Sequence, residues 1–224
     1  MKSAMLYVVG VGPGDPELLT LKAIRVIEAS DVIAAPDGGV AASIASAYIQ
    51  NKRYLQIEIP MTENRSVRQS AHEAAAKQIE GCLQKGSTVA YLTLGDPSLY
   101  ASCGYLMEIV GRQYPVEVVP GIPAMCAAAA VLRVPIAAGR EPLAILPGYK
   151  EGEPLPADKS IVVMKAGKSL KALQAACGVR EAYYACNIGL TKESAGRLDG
   201  ADVEAGHYFT TVIIPKDKSA SSNK

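Results

Sequence analysis

Short β-branched apolar runs recur along this chain, each followed by a stretch with helical spacing, and that alternation constrains the fold more than any other feature. The runs are Leu6 to Val9, Val32 to Ala35, Gln56 to Ile59, Val89 to Leu94, Val116 to Val119, Leu143 to Leu146, Ile161 to Met164, Ala182 to Ala185 and Phe209 to Ile214. Each is of strand length and mostly apolar, as strands covered on both faces are. Between them, Leu18 to Ala29, Ala41 to Gln50, Val67 to Leu83, Leu99 to Val110, Ala124 to Leu132 and Leu170 to Cys177 carry apolar residues at helical intervals. Strands interleaved with helices define the α/β class.

At 224 residues the chain suits one large domain or two small ones, with a core that needs no metal or disulfide. The 23 Lys+Arg nearly balance the 22 Asp+Glu, for a formal charge of +1. Nucleic-acid binding rests on a surplus of cations, so no nucleic-acid partner is expected. Five cysteines form no C-x-x-C pair and only two histidines accompany them, which argues against a disulfide framework or a zinc site, and no metal site is expected. The apolar stretch Ala4 to Val9 runs into Gly10, Gly12, Pro13 and Gly14, where a leader would carry a small-residue cleavage site, so it reads as a strand. No run approaches the ~18 apolar residues of a membrane span. A cytoplasmic location with no membrane partner is therefore expected.

Loop signals are densest over Pro147 to Lys159, a linker or surface loop, and a second candidate boundary is Pro120-Gly121-Ile122-Pro123, with a helix beginning at Pro123. The residues 216–224 are lysine, serine, asparagine and aspartate with one alanine and no larger apolar anchor, and disorder is expected there.

Three turns at strand ends carry the functional signal. Gly10-Val11-Gly12-Pro13-Gly14-Asp15-Pro16 follows a strand and precedes a helix that Asp15 can cap. A dinucleotide-binding G-x-G-x-x-G needs glycine where Asp15 stands, and a carboxylate there repels a pyrophosphate. Leu94-Gly95-Asp96-Pro97-Ser98-Leu99-Tyr100 is a second such turn, with Asp96 as candidate cap, at the strand edge where open α/β sheets bind ligands. Pro120-Gly121-Ile122-Pro123 is the third and leads into Ala127 to Ala130, small enough for a helix to lie close to its neighbour. Each has a purely structural reading as a connection. Together they suggest one ligand cleft lined mainly by backbone.

The sequence from Val9-Gly10-Val11-Gly12-Pro13-Gly14-Asp15-Pro16-Glu17-Leu18-Leu19-Thr20-Leu21-Lys22-Ala23, through Leu92-Thr93-Leu94-Gly95-Asp96-Pro97-Ser98-Leu99-Tyr100, to Val119-Pro120-Gly121-Ile122 resembles the tetrapyrrole (precorrin) methyltransferases of cobalamin biosynthesis. The first two motifs, with Pro142 to Pro147, look like the branch that methylates C20 of precorrin-2 or cobalt-factor II. The resemblance implies the two-domain tetrapyrrole methylase fold, with an N-terminal α/β domain over 1–119, a C-terminal α/β domain over 120–215, a homodimer, and S-adenosylmethionine in a cleft between the domains. It also implies that the cofactor meets Pro13, Leu94, Gly95, Asp96, Leu99, Gly121, Ile122, Ala124, Met125, Met164, Asn187, Thr210 and Thr211. One departure is notable. Where the family usually has Thr-Ser after Pro-Gly-Ile, this chain has Pro123-Ala124, which offer no hydroxyl, and Pro123 offers no N–H either.

Methyl transfer from a sulfonium to an electron-rich ring carbon needs donor and acceptor held in line at about 3 Å and no protein nucleophile. Asp96 and Tyr100 are the candidate catalytic residues for removing a proton. The carboxylates of a tetrapyrrole substrate call for cations, and Arg65, Arg68, Arg112, Arg133, Arg140 and Lys150 are candidates. His72 reads as a solvated helix residue and His207 as an edge or cleft residue with a structural role. Alternatives are another acceptor within the same family, such as a different ring carbon or a diphthine precursor, a NAD-dependent oxidoreductase, and a binding module without turnover.

Overall fold

The computed structural model describes residues 3–36, 39–60, 62, 64–201 and 207–217. Residues 218–224 of the expected disordered tail lie outside them. The chain divides into two compact units, Met1–Pro123 and Ala124–Lys224, where the sequence suggested a boundary after Val119.

The first unit is an α/β layer structure. Its strands are β1 (Leu6–Gly10), β2 (Val32–Pro36), β3 (Arg53–Ile57), β4 (Val89–Thr93) and β5 (Val116–Val119), and its helices are α1 (Leu21–Ala29), α2 (Val40–Ile44), α3 (Arg65–Leu83) and α4 (Cys103–Val110). The five strands pair in parallel in the order β3-β2-β4-β1-β5. Leu6, Val8, Val9, Val89, Ala90, Tyr91 and Leu92 are all buried, because helices cover both faces of the central strands. Ala75, Ile79 and Leu83 of α3 and Leu106 and Val110 of α4 pack with Leu6, Val8 and Tyr91 on one face, while Ala23 and Ile27 of α1 and Ala41 and Ile44 of α2 pack with Val9, Ile33 and Leu92 on the other.

That division positions the site. The chain leaves β1 toward α1 on one face and leaves the adjacent β4 toward α4 on the opposite face, a switch in direction at the carboxyl ends of two neighbouring strands. In open α/β sheets such a switch in direction is where ligands bind.

Helix starts differ from expectation. Asp15 caps only a 3-10 turn over Pro16–Leu18, accepting the Glu17 N–H at 2.8 Å, and α1 begins later behind Thr20, whose hydroxyl accepts the Ala23 N–H at 3.1 Å. Likewise Asp96 does not cap α4, which starts at Cys103 behind Ser102. In α3 the buried positions are His72, Ala75, Ala76, Ile79, Cys82 and Leu83, the i, i+3, i+4, i+7 spacing of one stripe. His72 is therefore interior and not on a solvated face.

The second unit has a mixed sheet of β6 (Leu143–Leu146), β7 (Ser160–Val163), β8 (Tyr183–Cys186), β9 (Ser194–Arg197) and β10 (Thr210–Ile214), with helices α5 (Ala124–Leu132) and α6 (Leu170–Cys177). The order is β6-β7-β10-β8-β9, with β10 antiparallel to both neighbours. Leu170, Leu173 and Cys177 of α6 pack on Ile161, Val163, Val212 and Ile214, while α5 lies against β8, β9 and β10. The stretch 147–159 is the connection between β6 and β7, and its end is held by Arg180, whose guanidinium donates to the carbonyls of Pro156 (2.8 Å), Lys159 (3.0 Å) and Pro215 (3.0 Å).

Candidate functional site

At the carboxyl edge of the first sheet three turns emerge side by side, because β4, β1 and β5 are neighbours. The first two pair with each other beyond the strands. Val11 N–H donates to Thr93 carbonyl at 3.0 Å, Gly95 N–H to Gly12 carbonyl at 2.7 Å and Gly12 N–H to Gly95 carbonyl at 3.3 Å. The third turn closes on both. A β-carbon added to Gly121 would stand 2.2 Å from the Gly95 carbonyl oxygen and 2.8 Å from the Gly10 carbonyl carbon, and one added to Gly10 would stand 2.6 Å from that same Gly95 oxygen and 2.7 Å from the Gly121 nitrogen. Only glycine permits that approach. Gly95 differs. It has φ of +70°, and nothing lies within 4 Å of where its β-carbon would project.

Asp96 ties the arrangement together. One carboxylate oxygen accepts the Ser98 N–H at 2.8 Å and the Ser98 hydroxyl, and the other accepts the Gly121 N–H at 2.9 Å. Burial pushes this carboxyl up, but the donors, the Ser98 hydroxyl foremost, then the Ser98 and Gly121 N–H groups, outweigh it and hold Asp96 below the usual carboxylate range. Behind the turn the Cys103 thiol reaches the Pro97 carbonyl at 3.6 Å. Burial pushes that thiol up to about 11, so it stays protonated at neutral pH and is no nucleophile.

The structure brings Gly95, Asp96 and Gly121 into direct contact, with buried Pro13 on the first turn and half-buried Leu94, Leu99 and Ile122 on the other two. Tyr100 follows at the exposed end of the second turn with φ of +51°, a backbone state uncommon for a bulky residue.

The remaining expected contacts belong to the second unit. Val163 pairs with Val212 and Cys186 with Thr210, so Met164, Asn187, Thr210 and Thr211 share one end of that sheet. Asn187 is buried at φ of +52°, its N–H donating to the Phe209 carbonyl at 2.9 Å and its side-chain amide to the Lys192 carbonyl at 3.4 Å. Consecutive strand residues face opposite ways. Thr210 therefore shares the α6 face with Val212 and Ile214, and Thr211 the other face. Ala124 and Met125, both half-buried, form the first turn of α5.

Of the cations expected to meet carboxylates, Arg112 is engaged by Glu108 at 3.0 Å one turn away on the surface. Sequence reasoning missed the contact among Gly10, Gly95 and Gly121 and the bond from Gly121 to Asp96, which spans 25 positions and has no local signal. It also missed Lys165 and Lys192, both at positive φ.

A parallel sheet with glycine turns meeting at its switch point, followed by a mixed second sheet, defines a two-unit α/β class of protein. The profile of the tetrapyrrole (corrin/porphyrin) methylases matches residues 5–202, and the chain belongs to that family. It is 32% identical over 230 aligned positions to a precorrin-2 C(20)-methyltransferase of Sinorhizobium sp, covering 92% of this chain and 93% of the relative. It is 31% identical over 228 positions to a probable cobalt-precorrin-2 C(20)-methyltransferase of Methanocaldococcus jannaschii, covering 95% and 96%. The fold is that of the X-ray structure of a cobalamin biosynthetic enzyme, cobalt precorrin-4 methyltransferase, with a TM-score of 0.76 over 95% of both chains at 18% identity.

Proposed function

We propose that this chain transfers a methyl group from S-adenosylmethionine to C20 of a precorrin-2-type tetrapyrrole in cobalamin biosynthesis, acting as a cytoplasmic homodimer. The observation that carries the reading is the identity of 31–32% to two C20-methyltransferases over more than nine-tenths of every chain compared. Methyl transfer accounts for the first turn better than hydride transfer does, since Asp15 stands where a dinucleotide site needs glycine.

The residues present fit such a donor. The direction above Gly95 is open, and a β-carbon there would fill it. In the proposal Pro13, Leu94, Gly95, Asp96, Leu99, Gly121 and Ile122 of the first unit and Ala124, Met125, Met164, Asn187, Thr210 and Thr211 of the second hold it, largely through backbone groups. When bound, S-adenosylmethionine supplies a methyl group on a positively charged sulfur. The chain's own task is to hold that carbon and the ring carbon in line, and rigid backbone does this at little entropic cost.

Asp96 has both oxygens committed and sits below the usual carboxylate range, so it is a poor proton acceptor. The proposal makes it a positioning residue that fixes Gly95 against Gly121. Tyr100 remains the proton-handling candidate, and Tyr100→Phe is expected to lower kcat about tenfold or more while leaving donor affinity unchanged.

Calorimetry, turnover and sedimentation test the proposal. Calorimetry is expected to show binding of S-adenosylhomocysteine and none of NADH; the reverse would return the oxidoreductase reading. Turnover with metal-free precorrin-2 and with cobalt-factor II, followed by mass, is expected to add one methyl to at least one of them. The relatives carry both names at nearly equal identity, so the preferred macrocycle must come from that comparison. Sedimentation is expected to give a dimer, whose interface should bury over ~1,200 Å².

A further inference from the structure

The second unit contains a cavity of about 80 Å³, several times the roughly 10–15 Å³ that one water needs. Its floor is Leu170, Cys186 and Thr210, all buried. Tyr184 and Ser194 form its walls, and Lys192 and His207 stand at its exposed rim. Among the described residues no carboxylate lines it. The nearby Glu193 is engaged elsewhere, accepting the Gly189 N–H at 2.7 Å. Thr210 donates its hydroxyl to the His207 carbonyl, which fixes the backbone of that rim residue.

The residues of the lining are those of a site for a small anion: Lys192 with an ammonium, His207 with an imidazole, and Tyr184 and Ser194 with hydroxyls, around a floor whose one polar group, the Thr210 hydroxyl, is already engaged. Lys192 holds φ of +64° and, at the neighbouring strand end, Lys165 holds +55°, a backbone state uncommon for residues with a β-carbon. Beside the rim, Tyr208 and Phe209 are exposed and meet edge to face at 5.3 Å, with the Lys165 ammonium 5.9 Å over the Tyr208 ring. An anion pocket next to exposed aromatic rings fits a flat ring system that bears acidic arms.

We propose that this pocket takes one carboxylate arm of the tetrapyrrole substrate, with Lys192 and His207 as its ligands and Tyr208 as the neighbouring surface for the ring. The assignment rests on the function proposed above and revises it at one position: Thr210, on the floor of this pocket, then meets the substrate arm, while Thr211 on the opposite face stays with the donor. A carboxylate could also come from the methionine portion of the donor, and the test separates the two.

Uroporphyrin, a stable porphyrin carrying acetate and propionate arms, serves as the macrocycle probe, read by fluorescence, and S-adenosylhomocysteine as the donor probe, read by calorimetry. In full-length protein, Lys192→Gln combined with His207→Gln is expected to raise the uroporphyrin Kd about tenfold and to leave the S-adenosylhomocysteine Kd within about twofold. Lys192→Arg alone, which keeps the charge, is expected to stay close to wild type. An unchanged uroporphyrin Kd in the double variant, a loss that falls on S-adenosylhomocysteine, or failure of the wild type to bind uroporphyrin would each overturn the proposal. Wild-type protein that binds uroporphyrin through Lys192 yet methylates no tetrapyrrole would leave the pocket standing and remove the proposed function instead.

Discussion

Gly10, Gly95 and Gly121 look alike in the sequence and do different work. Gly121 and Gly10 are held by contact, with a β-carbon on Gly121 landing 2.2 Å from the Gly95 carbonyl oxygen. Gly121→Ala must force the turns apart, and a loss of about 3 kcal/mol or more in stability, measured by denaturant unfolding, is expected. Gly95 has open space around its missing β-carbon. Gly95→Ala should fold at a cost of roughly 1–2 kcal/mol from its positive φ, yet lose affinity for S-adenosylhomocysteine at least tenfold, since the methyl group enters the place proposed for the donor. Equal donor affinity in wild type and Gly95→Ala would place the donor elsewhere. Asp96 is the third member of the cluster. Asp96→Asn keeps an acceptor for Ser98 but cannot also accept from Gly121, and losing that part-buried bond is expected to cost about 1 kcal/mol. The carboxyl sits lower in the folded protein than in the unfolded chain, so its contribution is complete above the unfolded value near 4 and disappears as pH falls below it. Acid unfolding should therefore be less steep in Asp96→Asn than in wild type.

At the scale of elements, α3 carries the clearest correction. A histidine flanked by Glu73 and by Lys77 one turn on reads as solvated, but the buried stripe of Ala75, Ala76, Ile79, Cys82 and Leu83 takes His72 with it. Its ring stacks on Tyr105 at 4.9 Å, and among the described residues neither ring nitrogen has a hydrogen-bond partner. Burial, with Arg68 as a lesser influence, keeps the imidazole below its ordinary value. The unfolded chain therefore binds the proton first, and stability falls as pH drops below about 6.5. His72→Leu is expected to remove that part of the pH dependence between pH 7 and 5 and to raise stability at pH 7 by about 1 kcal/mol, as thermal unfolding would show; a slope identical to wild type would contradict it. Elements with a regular apolar pattern were legible: α6 and β5 fall where their spacing places them, and α5 starts one residue past Pro123. β9, Ser-Ala-Gly-Arg, was not, because it is a strand by pairing with β8 and not by its own apolar content. The Leu99 to Val110 pattern overstates α4 because Asp96 organises a turn through Ser98 and Gly121 before the helix starts.

For the whole molecule, two units of different construction occur in one chain: a parallel sheet covered on both faces, and a mixed sheet whose middle strand, β10, comes last in sequence. The α/β class was readable from alternation alone. The three turns were readable as motifs, but that they touch was not, since their contacts join residues 25 or more positions apart. The side-chain directions of Thr210 and Thr211 show the same limit. Two adjacent hydroxyls look equivalent in sequence, and strand geometry sends them to opposite faces, one toward the Lys192 pocket. Chemically, the account requires one outcome above all others, the position of the new methyl group. S-adenosylmethionine labelled with carbon-13 in its methyl group, incubated with this protein and with precorrin-2 or cobalt-factor II, would be followed by NMR of the product. The account predicts a single labelled methyl at C20. A labelled methyl on any other ring carbon, or none on either macrocycle from protein that binds the donor, would contradict it.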